Sequence, residues 1–79
     1  MIEFEKDKIT SESGFWIMYY FLKNHYDLSK GSFDISDILS TCQPLRLGDS
    51  DPTDSGMIVN WNDALAEFKQ KGIPEPKIK

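Results

Sequence analysis

The chain is poor in the residues that build reactive centres. Among its 79 residues there is a single cysteine, Cys42, and a single histidine, His25. One cysteine permits no internal disulfide and no cysteine metal cluster. Together with one histidine it falls short of the three or four suitably spaced ligands that zinc requires, so no metal and no cofactor are expected. Cys42 also lacks a base arranged beside it for a nucleophilic dyad. Set among apolar residues, it is expected to be a small buried hydrophobe. His25 falls near a helix end, where an imidazole suits the negative end of the dipole without any catalytic role. No apolar run approaches the roughly 20 residues of a membrane span. The opening Met-Ile-Glu-Phe-Glu-Lys lacks the basic start and apolar stretch of a signal peptide. A cytoplasmic protein of bacterial type is the expectation. Phosphate-cradling glycine loops, internal repeats and coiled-coil lengths are missing too.

Basic residues are scarce where acids concentrate. Acids outnumber bases 13 to 9, for a net charge of -4. Between Gly31 and Phe68 stand Asp34, Asp37, Asp49, Asp51, Asp54, Asp63 and Glu67 against the single base Arg46. That asymmetry argues against nucleic acid or an anionic membrane as partner, because both need a basic surface. A basic protein surface would suit it. Some of these aspartates have an ordinary use as helix caps and turn residues.

What the sequence does have is Phe15 to Leu22, eight large apolar or aromatic residues without a break, inside a helical run. Phe15, Met18, Tyr19, Leu22 and Tyr26 follow one another at helical spacing and form a stripe expected to face the core. Trp16, Ile17, Tyr20 and Phe21 lie off that stripe, so the helix is apolar around much of its circumference. Something is expected to cover the second surface: neighbouring helices, a second copy, or another protein.

In order, Met1 to Ile9 alternates weakly and reads as a short extended arm or strand, or as a frayed lead-in. Thr10 or Ser11 caps a first helix running to about Leu28, stopped by Lys30-Gly31. Ser32 to Asp34 offers a second start, followed by Ile35, Ile38, Leu39 and Cys42 at helical spacing, and this short helix ends before Pro44. Pro44 to Asp54 is a loop that Leu45 and Leu47 are expected to pin to the core. Met57, Trp61, Leu65 and Phe68, with Ala64, mark a third helix from about Ser55 to Lys71, capped by Asp54 or Asn60 and ended by Gly72 and Pro74. Alternatively, Met57-Ile58-Val59 forms a brief strand and the helix starts at Trp61. The expected fold is all-α, a single three-helix domain over residues 1–79 with its core at about 10–72 and extended tails.

Asp49-Ser-Asp51-Pro-Thr53-Asp54 resembles the start of a calcium loop. Its sixth position is Asp54 where glycine is needed, however, and its twelfth is Asn60 where a bidentate glutamate is needed, so a turn-rich loop is expected instead. No carboxylate spacing singles out a general acid and base. An enzyme is not expected.

Binding remains. The ordered pattern Met18-x-x-Phe21-Leu22-x-x-x-Tyr26, then Ser32-x-Asp34-Ile35-x-x-Ile38-Leu39, then Pro44-Leu45 with Gly48-Asp49 and Asp51-Pro52, then Trp61-x-Asp63-Ala64, resembles a family of short bacterial proteins. That family is associated with polymorphic-toxin and contact-dependent growth inhibition systems, in which small acidic proteins act as immunity proteins. The resemblance spans about Ser11 to Phe68 and implies a cognate protein toxin as partner, with no catalytic residue. Residues 55–59 depart from it, since related sequences run more directly from the acidic loop into the tryptophan helix. The expected contact surface has Asp34, Asp37, Asp49, Asp51 and Asp54 as an electrostatic rim and an exposed aromatic, Trp16, Tyr20 or Phe33, as anchor. The alternative is a homo-oligomeric helical structural or adaptor protein without a toxin partner, a homodimer through the second face of helix 1. A small enzyme or metal-dependent regulator is a further rival.

Overall fold

A computed structural model describes residues 2–32 and 34–77. It has three helices: α1 (Ser11–Leu28), α2 (Ile35–Cys42) and α3 (Gly56–Lys71). Among the described residues no strand forms, and the only β pairing is an isolated antiparallel bridge between Pro44 and Pro52. Residues 57–59 are helical, so the strand alternative is set aside in favour of a third helix starting at Gly56.

The helix ends follow local chemistry. Thr10 caps α1, its Oγ1 accepting from the amide of Ser13 at 3.0 Å. At the other end the amide of Gly31 donates to Tyr26 O at 3.1 Å and that of Lys30 to Asp27 O at 3.2 Å. This is the paired closure in which the chain turns left-handed just past the helix. The left-handed turn begins one residue earlier than expected, at Lys30 (φ 55°), and continues through Gly31 (φ 85°). Asp34 caps α2 and Gly72, at φ 73°, closes α3. Asp54 tightens the start of α3 by accepting from the Gly56 amide at 2.9 Å.

The extensive helix contact is α1 against α3. Ile17, Tyr20 and Phe21 from α1 bury against Ala64 and Leu65 from α3, with Leu22, Ile38, Met57, Trp61 and Phe68 packed around them. Phe21 and Trp61 stack at a tilt, their ring centroids 5.9 Å apart.

That packing corrects the expected face of α1. Phe15 and Tyr26 are each 55% exposed, and Met18 and Tyr19 are exposed as well. At about 100° per residue their stripe lies roughly opposite the buried face. The buried face repeats the same helical spacing through Ile17, Tyr20, Phe21, Asn24 and His25. What selects it is hydrogen bonding across the helices. Tyr20 Oη donates to Gly72 O at 2.8 Å and Asn24 Nδ2 to Glu67 Oε1 at 3.1 Å, while His25 Nε2 lies 3.5 Å from Asn60 Nδ2. A face with polar members wins because α3 satisfies them, which counting apolar residues does not register.

Two further corrections concern α2 and the loop behind it. Cys42 is exposed rather than buried. Leu45 and Leu47 are exposed and do not pin the loop to the core. The loop is closed instead by its backbone: Gln43 O accepts from Thr53 N at 2.7 Å and from Thr53 Oγ1 at 2.6 Å, and Thr41 O accepts from Asp54 N at 3.1 Å. α2 contributes no fully buried residue. Its Ile38 alone joins the packed cluster, so α2 and the loop stand off the α1–α3 pair as a hydrogen-bonded flap.

The N-terminal arm, residues 2–9, forms no helix or strand and is clipped to α3. The Asn62 side chain donates to Glu3 O at 2.9 Å and accepts from Glu5 N at 3.0 Å. It thus makes the two bonds a neighbouring strand would make. Asp7 and Lys69 add an ion pair.

Candidate protein-docking cleft

Because α2 stands away from the α1–α3 pair, an open cleft of about 480 Å³ lies between them. Met18, Phe21 and Leu22 of α1 and Met57 and Trp61 of α3 line one side. Ile35, Ile38, Leu39 and Cys42 of α2 line the other, with Phe4 of the arm at one edge. Pro44, Asp49, Ser50, Asp51 and Pro52 of the loop complete the rim. The lining is mostly apolar, and among the described residues its charged members are both aspartates, with no lysine, arginine or histidine. Ile35 and Leu39 leave about half of their surface in water. Large apolar side chains so exposed, gathered in a concavity, are the usual mark of a binding surface.

The expected rim residues divide by how they are held. Asp34 Oδ1 accepts from Ser36 Oγ at 2.8 Å and from Ser36 N at 2.9 Å. The Ser36 hydroxyl, followed by its amide, lowers the Asp34 carboxyl below the ordinary aspartate value. Asp49 Oδ2 accepts from Arg46 N at 3.1 Å, and Asp54 takes the Gly56 amide. These three carboxylates fold their own turns. Asp37 and Asp51 are exposed, and among the described residues their carboxylates engage no hydrogen bond or ion pair. The structure brings Asp49 and Asp51 to the cleft itself, whereas Asp34, Asp37 and Asp54 belong to the flap and its junction with α3.

The aromatic anchors fare less evenly. Tyr20 is 5% exposed, with its hydroxyl committed to Gly72, so it is a core residue and not an anchor. Trp16 is half-buried, edge-on to Phe15 and Tyr19 with ring centroids 5.0 and 6.5 Å away. It flanks the outward stripe of α1 and does not line the cleft. Phe33 lies outside the described residues. Sequence reasoning passed over Leu39, Ile35 and Met18 as surface groups, because helical spacing assigns such residues to a core.

Elsewhere, Asn24, His25, Asp27, Leu28, Asn60 and Asp63 line a smaller polar hollow of about 330 Å³. His25 there stacks edge-on to Phe21 at 4.7 Å. Among the described residues no group of three or more His, Cys, Asp or Glu side chains is placed to hold a metal ion, and no helix is long and apolar enough to cross a membrane. No protein-family model, curated protein or solved structure matches the chain.

Proposed function

We propose that this chain is a protein-binding module that acts as an immunity protein, neutralising a cognate bacterial toxin in the cytoplasm through its acidic surface. The observation that carries the reading is the apolar cleft whose lining charges are all negative, set in a segment with seven acids and one base. A toxin that handles a polyanionic substrate presents a basic surface, and an acidic partner can occupy it, with long-range charge attraction speeding the encounter. In this reading the chain performs no catalysis, holds no cofactor, and binds neither nucleic acid nor membrane. The test is co-expression with the product of the adjacent gene, paired with a pull-down from the same cells. Rescue from toxicity with a retained complex is expected. A harmless neighbour and an empty pull-down would sink the reading.

A second reading is favoured by one specific observation, the outward stripe of α1. Phe15, Met18, Tyr19, Leu22 and Tyr26 form an almost wholly apolar surface, with Lys23 its one charged member. Burying that stripe against a second copy would make a homodimer, through a self-complementary two-fold contact. Light scattering across a concentration series decides it, a monomeric mass down to low micromolar excluding the dimer.

A further inference from the structure

We propose that the cleft between α2 and the α1–α3 pair receives an amphipathic helical segment of a partner protein, its apolar row seated in the cleft and its flanking lysines or arginines against Asp49 and Asp51. This rests on the protein-binding reading above and names how the partner is held. Two features commit the site to that occupant. Its ridges are pairs at helical spacing, Met18 with the half-buried Leu22 on α1 and Ile35 with Leu39 on α2, so the space between them matches the ridges of a third helix. α2 is about 12 Å long, which accommodates two to three turns of such a segment and apolar anchors at i, i+3 or i+4, and i+7. The charge on the lining is of one sign, so the segment's polar flank is basic. The flap carries that preference outward through Asp34 and Asp37, whereas the outward stripe of α1 shows no comparable charge bias.

Cys42 reports on occupancy, since it is the chain's single cysteine, is exposed and lines the cleft. The probe is a peptide of about sixteen residues, long enough to hold helix, with leucines at i, i+3, i+4 and i+7 flanked by lysines. A glutamate-flanked version and a scrambled version serve as controls. The measurement is the rate at which a thiol reagent modifies Cys42 in the intact chain. The lysine peptide is expected to slow modification by about tenfold when present at ten times its Kd, with protection falling as salt rises. The glutamate and scrambled peptides are expected to leave the rate unchanged. Equal protection by the lysine and glutamate peptides, or none from the lysine peptide, overturns the proposal. So does slowing that follows the chain's own concentration without peptide, because the occupant is then a second copy.

The variant Leu39→Lys separates this inference from the reading beneath it. Leu39 is exposed, so the variant is expected to keep wild-type helicity. If the wild type rescues cells from the neighbouring gene product and Leu39→Lys fails to, the cleft is the docking site. If both rescue equally, the cleft proposal falls and the immunity reading stands. If neither the wild type nor the variant rescues, the immunity reading falls, and the peptide measurement decides the cleft by itself.

Discussion

Among the described residues, Ile17 and Ile58 are the large side chains withdrawn almost completely from water. Ile17 is held in the α1–α3 seam, where truncation removes buried methyl groups and leaves a cavity. Ile17→Ala is therefore expected to cost about 2 to 4 kcal/mol, a large part of the stability of a domain this small. Phe15→Ser, two positions earlier on the same apolar run, removes a larger side chain from a surface site and is expected to stay within about 0.5 kcal/mol. Urea unfolding of the two variants compares the buried and outward faces directly, and the reverse order of effects would place the core on the wrong side of α1. Lys30 offers an opposite case. It sits at φ 55°, where a side chain clashes with the backbone and glycine does not. Lys30→Gly is expected to raise the melting temperature, by the roughly 4 to 8 °C that about 1 kcal/mol yields in a chain of this size. No rise would mean that the Gly31 and Tyr26 contacts already relieve the turn.

At the level of the elements, the ends were legible in the sequence and so was the buried face of α3, whereas the buried face of α1 and the exposure of α2 were not. Thr10 before Ser11, Lys30-Gly31 after Leu28 and Gly72 after Lys71 act within a few residues of themselves, so their meaning survives without knowledge of the rest of the chain. The face that α1 buries depends on Tyr20 finding Gly72 and Asn24 finding Glu67, partners 52 and 43 positions away. Nothing local announces them. The Asn62 clip on the arm is equally remote, 57 positions from Glu5. The cleft was hidden for a related reason: Ile35, Leu39 and Cys42 have core spacing, and only the backbone closure at Gln43 and Thr53 shows that α2 is held away from the core. Asp34→Ala removes the cap of α2 without touching α1 or α3. It is expected to speed hydrogen exchange at the amides of residues 36–39 and to leave those of the α1–α3 seam unchanged. Uniform acceleration would instead tie α2 to the global fold.

Acid sensitivity joins this element scale to the molecule. The Lys71 ammonium holds the Glu67 carboxyl below its ordinary value against the opposing effect of burial, with the Asn24 amide adding to the lowering. Asp34 is lowered by Ser36. A carboxylate depressed in the folded state adds stability above its unfolded value and loses that contribution as pH falls through the folded one. Helicity is therefore expected to hold above about pH 4.5 and to decline below it. Glu67→Gln is expected to reduce the stability difference between neutral and acid pH, and a variant with an unchanged acid profile would remove Glu67 from the cause.

For the whole molecule, a radius of gyration of 13.4 Å slightly exceeds the about 12 Å expected of a tightly packed chain of this length. The excess comes from the arm, the tail and the flap, which surround a core built from two helices. If the acidic surface captures a basic partner, the double variant Asp37→Asn and Asp51→Asn is expected to lower the association rate several-fold at low salt and to flatten its salt dependence, with dissociation little changed. Stopped-flow association across a salt series measures both, and identical slopes for the variant and wild type would take these residues out of the encounter.

The division of labour among the aspartates also bears on how such a chain can change over generations. Asp34, Asp49 and Asp54 are each bound into a turn they help to fold, so exchanging one of them alters shape along with charge. Asp37 and Asp51 carry charge without that obligation. A lineage shifting its allegiance from one target to another can rewrite those two positions freely, while the other three keep the flap in place, so divergence between descendants should accumulate first at Asp37 and Asp51.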